Sequence, residues 1–169
     1  FAEGGDYYNG GKGWIPIGTL NEPFTGTLDG GSHGISGLTI NSVDTVQSAA
    51  GLFGYISDCT IENLLISDMK ISAGEYLTYA GGIAGSSQGN ASTIVNCANT
   101  SDFSLKAMYA GGIIGHGGEA DISRCYNAGA ITAMNSGDTF YMGGITGVSF
   151  GGSITDCFNT GSITEGDLT

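Results

Sequence analysis

The side chains of this chain that could do chemistry are four cysteines, two histidines and sixteen carboxylates. Three of the thiols recur in one local frame: "TIVNCANTSDF" from Thr93, "DISRCYNAGAI" from Asp121 and "SITDCFNTGSI" from Ser153. An Ile stands three residues before each of Cys97, Cys125 and Cys157, an Asn (Asn99, Asn127, Asn159) two after it, and an apolar residue (Phe103, Ile131, Ile163) six after it. Zinc needs Cys and His pairs that converge in a tetrahedron, and the Cys-to-Cys steps of 28 and 32 residues (97 to 125, 125 to 157) supply no close pair. Disulfides are the other chemistry of a secreted Cys pattern. Thiols at one repeat position, however, project in parallel, and at the ~4.8 Å spacing of stacked strands they miss the preferred Cβ separation of about 3.8 Å. The frame reads as a ladder of buried thiols that act as small hydrophobes.

His33 sits in "DGGSHG" and His116 in "GHGGE". Asp29, Ser32 and His33 supply the letters of a hydrolytic triad, but neighbours on one turn cannot easily aim at each other as nucleophile and base, so a solvated turn is the simpler reading. No His-Glu-x-x-His word is present. Among the acids, Glu119 with Asp121, or Asp102 with Asp68 on neighbouring units, could share a calcium ion, although neither the calcium nonapeptide nor the EF-hand loop occurs. Solubility alone accounts for a scattered acidic surface, and no other cofactor is expected. β-Helical carbohydrate enzymes work with paired Asp residues. Here the single arginine, Arg124, leaves little to neutralise a uronate, and we expect no enzyme.

The glycine-rich stretch "YAGGIIGHGGEADISRCYNAGAIT" (Tyr109 to Thr132) resembles a phosphate loop until its copies are noticed. No Lys-Ser/Thr follows its glycines. "YAGGIAG" begins at Tyr79, "YAGGIIG" at Tyr109, "YMGGITG" at Tyr141, and a looser "AAGLFG" at Ala49. The unit therefore repeats about every 30 residues, which means that no unit covers its apolar face alone and each relies on the next. Glycine at 32 positions discourages helix, and four- to six-residue apolar runs broken by Gly, Asn, Ser and Asp read as strands. We expect an all-β, right-handed parallel β-solenoid of about five coils, with a β-prism or propeller built from the same repeats as the alternative. One continuous domain is expected: an irregular opening coil or cap over 1–48, holding "GWIPIGTLNEPF", then repeats over 49–78, 79–108, 109–140 and 141–169. In the stack, Asn99, Asn127 and Asn159 would bond along the axis. Gly51, Gly82, Gly112 and Gly144 would permit tight corners with φ > 0. Ala98, Tyr126 and Phe158 would point outward, and "TAMNSGDTF" would be a loop that accepts length changes. Tyr79, Tyr109 and Tyr141 would stack on one edge, where they either seal the corner or grip a sugar or protein.

A net charge of −12, with four Lys plus Arg against sixteen Asp plus Glu, repels phosphate backbones and anionic lipids, so neither nucleic acid nor membrane insertion is expected. No apolar run approaches the ~18 residues of a membrane span. "FAEGGDYYNG" and "SITEGDLT" begin and stop in mid-pattern, so a piece of a longer parent with further domains is expected.

"GLFGYI" (Gly51 to Ile56) followed by "GGIAG", "GGIIG" and "GGITG", each with its later Cys-x-Asn, resembles the GLUG motif repeats of bacterial surface proteins and of some IgA-cleaving metallopeptidases. "GWIPIG" and "FTGTLDGGSHGISGLTI" resemble the segment that leads into such arrays, so the likeness covers nearly the whole chain. It departs at Leu64, where other units have Cys, and at Ser101, where others have Gly129 and Gly161. The resemblance implies a non-enzymatic extracellular module on a bacterial cell, an adhesin or stalk presenting binding surfaces to a host protein or glycan. A carbohydrate-binding or carbohydrate-active β-helix is the rival reading.

Overall fold

The computed structural model describes residues 9–41, 48–72, 77–89, 92–134 and 140–166. Residues 135–139 of the expected variable loop, and residues 1–8 and 167–169 of the two end segments quoted above, lie outside the described residues. The described chain has no α-helix, and its strands stack in parallel as a β-solenoid. An isolated Gly13–Ile40 bridge is the one antiparallel pairing among the described residues.

About four turns are regular: 49–71, 77–105, 107–133 and 141–165. About five coils were expected, a minor difference, because 13–40 adds a looser opening tier ahead of them. It joins the first turn through Ile17–Phe53 and Phe24–Ile56 bridges and through the strand Thr27–Ser36, whose register on Thr60–Ser67 shifts between Asp29 and His33.

One turn shows the plan. Ala107–Gly111 and Ile114–His116 meet at a glycine corner, and Asp121–Ser123, Tyr126–Asn127 and Ile131–Ala133 complete the circuit. Each strand pairs with its counterparts above and below. Alternation along such short strands sends one residue in two inward. The inward residues form columns: Ile61, Ile94, Ile122, Ile154; then Leu64, Cys97, Cys125, Cys157; then Phe103, Ile131, Ile163. Inner members of these columns are buried, whereas Ile154 and Ile163 in the last turn stay 44% and 41% exposed. Covering an isoleucine stabilises by roughly 1.5–3 kcal/mol, so each turn holds its neighbour.

Two local devices bend the chain. Asn63, Asn96, Arg124 and Asp156 stack at one corner with φ of 56°, 52°, 52° and 53°. The asparagines suit the left-handed region, and their side chains bond along the axis, Asn96 Nδ2 donating to Asn63 Oδ1 at 2.7 Å and Asn63 Nδ2 to Asp29 Oδ1 at 2.9 Å. At the second corner the expectation of positive φ fails: Gly82, Gly112 and Gly144 do not take it. They are needed for close approach. A Cβ on Gly82 would stand 2.8 Å from Asn99 Cγ, and Gly112 and Gly144 lie closer still to Asn127 and Asn159. Gly51 also falls elsewhere than expected. Ala50 pairs with Ala80 but Phe53 with Ala84, so the first corner is one residue shorter, and Gly51 approaches Gly81 instead.

Candidate functional site

The asparagine column is the polar centre of the stack. Asn99 Nδ2 donates to Asn127 Oδ1 at 2.8 Å and Asn127 Nδ2 to Asn159 Oδ1 at 2.7 Å. Each amide also donates to the carbonyl two residues on, at Ser101, Gly129 and Gly161. Asn99 and Asn127 are fully buried, and these bonds are what make their burial tolerable. Leu64 and Ser101, the two departures from the repeat, hold register: Leu64 heads the cysteine column, and the Ser101 hydroxyl accepts the Met69 N–H.

The thiols are free, with Cys97 and Cys125 buried and Cys157 partly exposed, the last against expectation. Each lies one turn from the next, the Cys97 N–H pointing to Cys125 Sγ and the Cys125 N–H to Cys157 Sγ, both at 3.4 Å. The neighbouring Cys97 thiol and burial push the Cys125 thiol far above its ordinary value, so its sulfur stays protonated and donates to backbone carbonyls. Cys59, outside the repeated frame, is also buried and meets Ser92 Oγ at 3.9 Å.

The acidic candidates are engaged locally. Asp121 Oδ1 accepts both the N–H and the hydroxyl of Ser153 in the next turn, at 2.8 and 2.7 Å, which holds its carboxyl below the usual range. Glu119 lies against Gly151. Asp102 caps the Ala130 N–H and Asp68 accepts from Ser36, so this pair is turned to separate partners. Asp29 accepts from Asn63 and from the Gly31 N–H, while His33 is exposed beside it in register with Leu64.

The side chains that the fold gathers on its lateral surface are aromatic. Tyr79, Tyr109 and Tyr141 occupy one column. Their rings stack, with centroids 5.7 Å apart at 18° and 5.3 Å apart at 11°. Two strands of the adjoining sheet contribute Tyr55, buried and edge-on to Tyr79 at 6.1 Å, and His116, edge-on to Tyr79 at 5.4 Å and to Tyr109 at 6.0 Å. Phe150 adds a third ring against His116 at 5.4 Å and is 77% exposed. Glycines make this possible: Gly81, Gly85, Gly111 and Gly115 let the two strands of the corner approach so closely that side chains from both meet outside it. Because the tyrosines stack on one another, they offer a partner their hydroxyls and edges, and at Tyr141 an open ring face. Burial lowers the His116 pKa against the backbone contacts at Ser87 and at His116 itself, which raise it. The sequence flagged the tyrosines by their spacing. It gave no sign that Tyr55, His116 and Phe150 join them: Tyr55 and His116 share one repeat position, in register through Ser86, but the residue type there changes from turn to turn. A second stack, Tyr126 on Phe158 at 5.2 Å and 6°, lines another edge, where Ala98 is buried and not outward as expected.

These features define a parallel β-solenoid built of a glycine-corner, Cys-x-Asn repeat. Residues 138–164, which take in most of the fourth repeat, match the model of a family described as the GLUG motif. The chain is similar to halomucin of Haloquadratum walsbyi, 37% identical over 71 residues that make up 38% of this chain and 1% of that protein. It is also similar to a protein of Evansella cellulosilytica that carries the name Gly-rich membrane protein, 38% identical over 72 residues, 43% of this chain and 8% of the other. The chain therefore spans a small fraction of the length of either relative. No solved structure gives a significant match.

Proposed function

We propose that this chain is a non-enzymatic repeat module at the surface of a bacterial cell, and that it presents its lateral aromatic face to a host protein or glycan. The names of the two relatives, a mucin-like one and a membrane one, support the surface location. The shape favours presentation over reach. Stacked turns rise by only about 4.8 Å each, so four turns add about 20 Å, whereas an extended chain gains about 3.3 Å per residue. About thirty residues per turn is a costly spacer but an efficient way to repeat one side-chain arrangement.

The observation that carries this reading is the in-register Tyr79–Tyr109–Tyr141 stack, in which even the inner rings Tyr79 and Tyr109 stay half-buried. Aromatic rings with a polar tip suit surfaces that are half wet, and they give large contact area at little entropic cost. Glycan and host-protein arrays, probed with and without calcium, test it. Binding should fall at least about tenfold for Tyr109→Ala/Tyr141→Ala at unchanged secondary structure. Undiminished binding by that variant would sink the proposal, and hydrolysis of any array glycan would sink its non-enzymatic part. The exposed rings of Phe150 and Phe158 favour a second reading, a sugar-binding module of a carbohydrate-active protein, in which glycans alone score.

A further inference from the structure

The three sulfurs of the cysteine column are copies of one placement. Cys97 Sγ lies 3.4 Å from Val95 O in its own turn and 3.7 Å from Ile61 O in the turn before. Cys125 Sγ lies 3.3 Å from Ser123 O and 3.6 Å from Ile94 O, and Cys157 Sγ 3.2 Å from Thr155 O and 3.7 Å from Ile122 O. Equal placement in registered turns sets each sulfur one strand spacing, about 4.8 Å, from the next. A disulfide of about 2.05 Å would require more than half of that gap to close, and the thiols are free. Two metal–thiolate bonds of about 2.3 Å laid end to end span about 4.6 Å and need no such movement.

We propose that Cys97, Cys125 and Cys157 form a site for soft monovalent d10 cations of the Cu(I) class, one held in line between Cys97 and Cys125 and a second between Cys125 and Cys157. Thiolate is the ligand type that selects such ions. Side chains that project inward, across the axis, leave sulfur lone pairs directed along it, where an in-line cation bonds. Zinc does not fit this row, because it takes four ligands in a tetrahedron and no group of three or more His, Cys, Asp or Glu converges among the described residues. Leu64, which precedes Cys97 in the column, brings no ligand, and Cys59 lies outside it beside Ser92.

Taking up two cations releases three thiol protons to solvent, forms four metal–sulfur bonds and leaves one net negative charge. The N–H groups of Cys97 and Cys125 already point to Cys125 Sγ and Cys157 Sγ at 3.4 Å, so two of the three anionic sulfurs have a backbone donor in place. The carbonyls that accept from the thiols lose those protons, and the charge of the cation beside them takes over. The protonated state of the metal-free thiols is no obstacle, since a bound metal ion displaces the proton of its thiol ligand. This site lies inside the stack and is independent of what the lateral face binds.

The shared central sulfur gives the test its pattern. Ag(I), of the same charge and filled shell and free of redox cycling, is titrated into the whole chain under nitrogen and counted by native mass spectrometry. The parent and Cys59→Ser should each hold two ions, Cys97→Ser and Cys157→Ser one, and Cys125→Ser none, because the remaining column sulfurs then stand about 9.6 Å apart. X-ray absorption should find two sulfurs around each silver. Two equivalents of Ag(I) should raise the melting temperature of the parent by at least about 5 °C and Zn(II) should leave it unchanged, a reading that needs no variant. An ion retained by folded Cys125→Ser, or one lost from Cys59→Ser, would overturn the column as the ligand set. No uptake by the parent, or a lowered melting temperature, would overturn binding by the folded state. Three sulfurs around silver, or stabilisation by Zn(II), would overturn the linear geometry.

Discussion

Gly112 lies against the side chain of Asn127 from across the solenoid, so close that a Cβ on the glycine would overlap the asparagine's Cβ and Cγ. The same pair recurs as Gly82 with Asn99 and Gly144 with Asn159, which links two words that stand some fifteen residues apart in each repeat. Gly112→Ala should therefore destabilise by at least about 2 kcal/mol, the scale of overpacking in a tight core. Gly117→Ala is the control, because its nearest neighbours stand at an ordinary 3.4–3.6 Å. Urea melts of the two variants decide it, and equal costs would show that the asparagine column yields.

Ile131→Asp should destabilise far more than Tyr126→Ser. Ile131 is fully buried in its column, where an unpaired carboxylate meets several kcal/mol of desolvation. Tyr126 is half-buried and loses mainly its stack on Phe158, about 1 kcal/mol. Thermal melts giving comparable losses would mean that the columns are misassigned.

Alkylation should separate the thiols. In the native protein Cys97 and Cys125 stay unlabelled and Cys157 reacts slowly, since burial pushes its thiol up while part of it meets solvent. After unfolding all four cysteines should take label. Mass spectrometry of peptides would contradict this if native Cys125 labelled as fast as Cys157, or if any thiol stayed unreactive after unfolding.

Acid should weaken the fold near neutrality through His116. Burial among Tyr79, Tyr109 and Phe150 lowers its pKa in the folded state, whereas the unfolded imidazole takes a proton near about 6.5. Below about pH 6.5 the unfolded state then binds more protons, so stability is complete above that value and falls as pH drops through it. Asp29 and Asp121, whose pKa values are also lowered, add losses only below about pH 4. Melts between pH 8 and 5 should show the decline for the parent chain and a flatter profile for His116→Gln. Identical slopes would remove His116 from the account.

The sequence by itself determined the repeat, the strand content and the chemistry of the columns. Ile, Cys and Asn return at constant offsets in unit after unit, so the membership of the thiol, asparagine and Tyr79–Tyr109–Tyr141 columns was legible as one-dimensional periodicity, although the same periodicity also allowed a propeller until the parallel pairing between turns was seen. What lies across the cross-section was not legible, because periodicity ranks residues along the axis and is silent about the distance between two positions within one turn. Only the tertiary structure decided that the corner glycines make room for Asn99, Asn127 and Asn159 instead of supplying positive φ. It also decided that the first corner is a residue short, so that Gly51 meets Gly81. The aromatic face was divided in the same way: its tyrosines belong to the repeat, while Tyr55, His116 and Phe150 reach them through space from positions whose residue type changes from turn to turn, a closeness set by how tightly glycine lets two backbones approach.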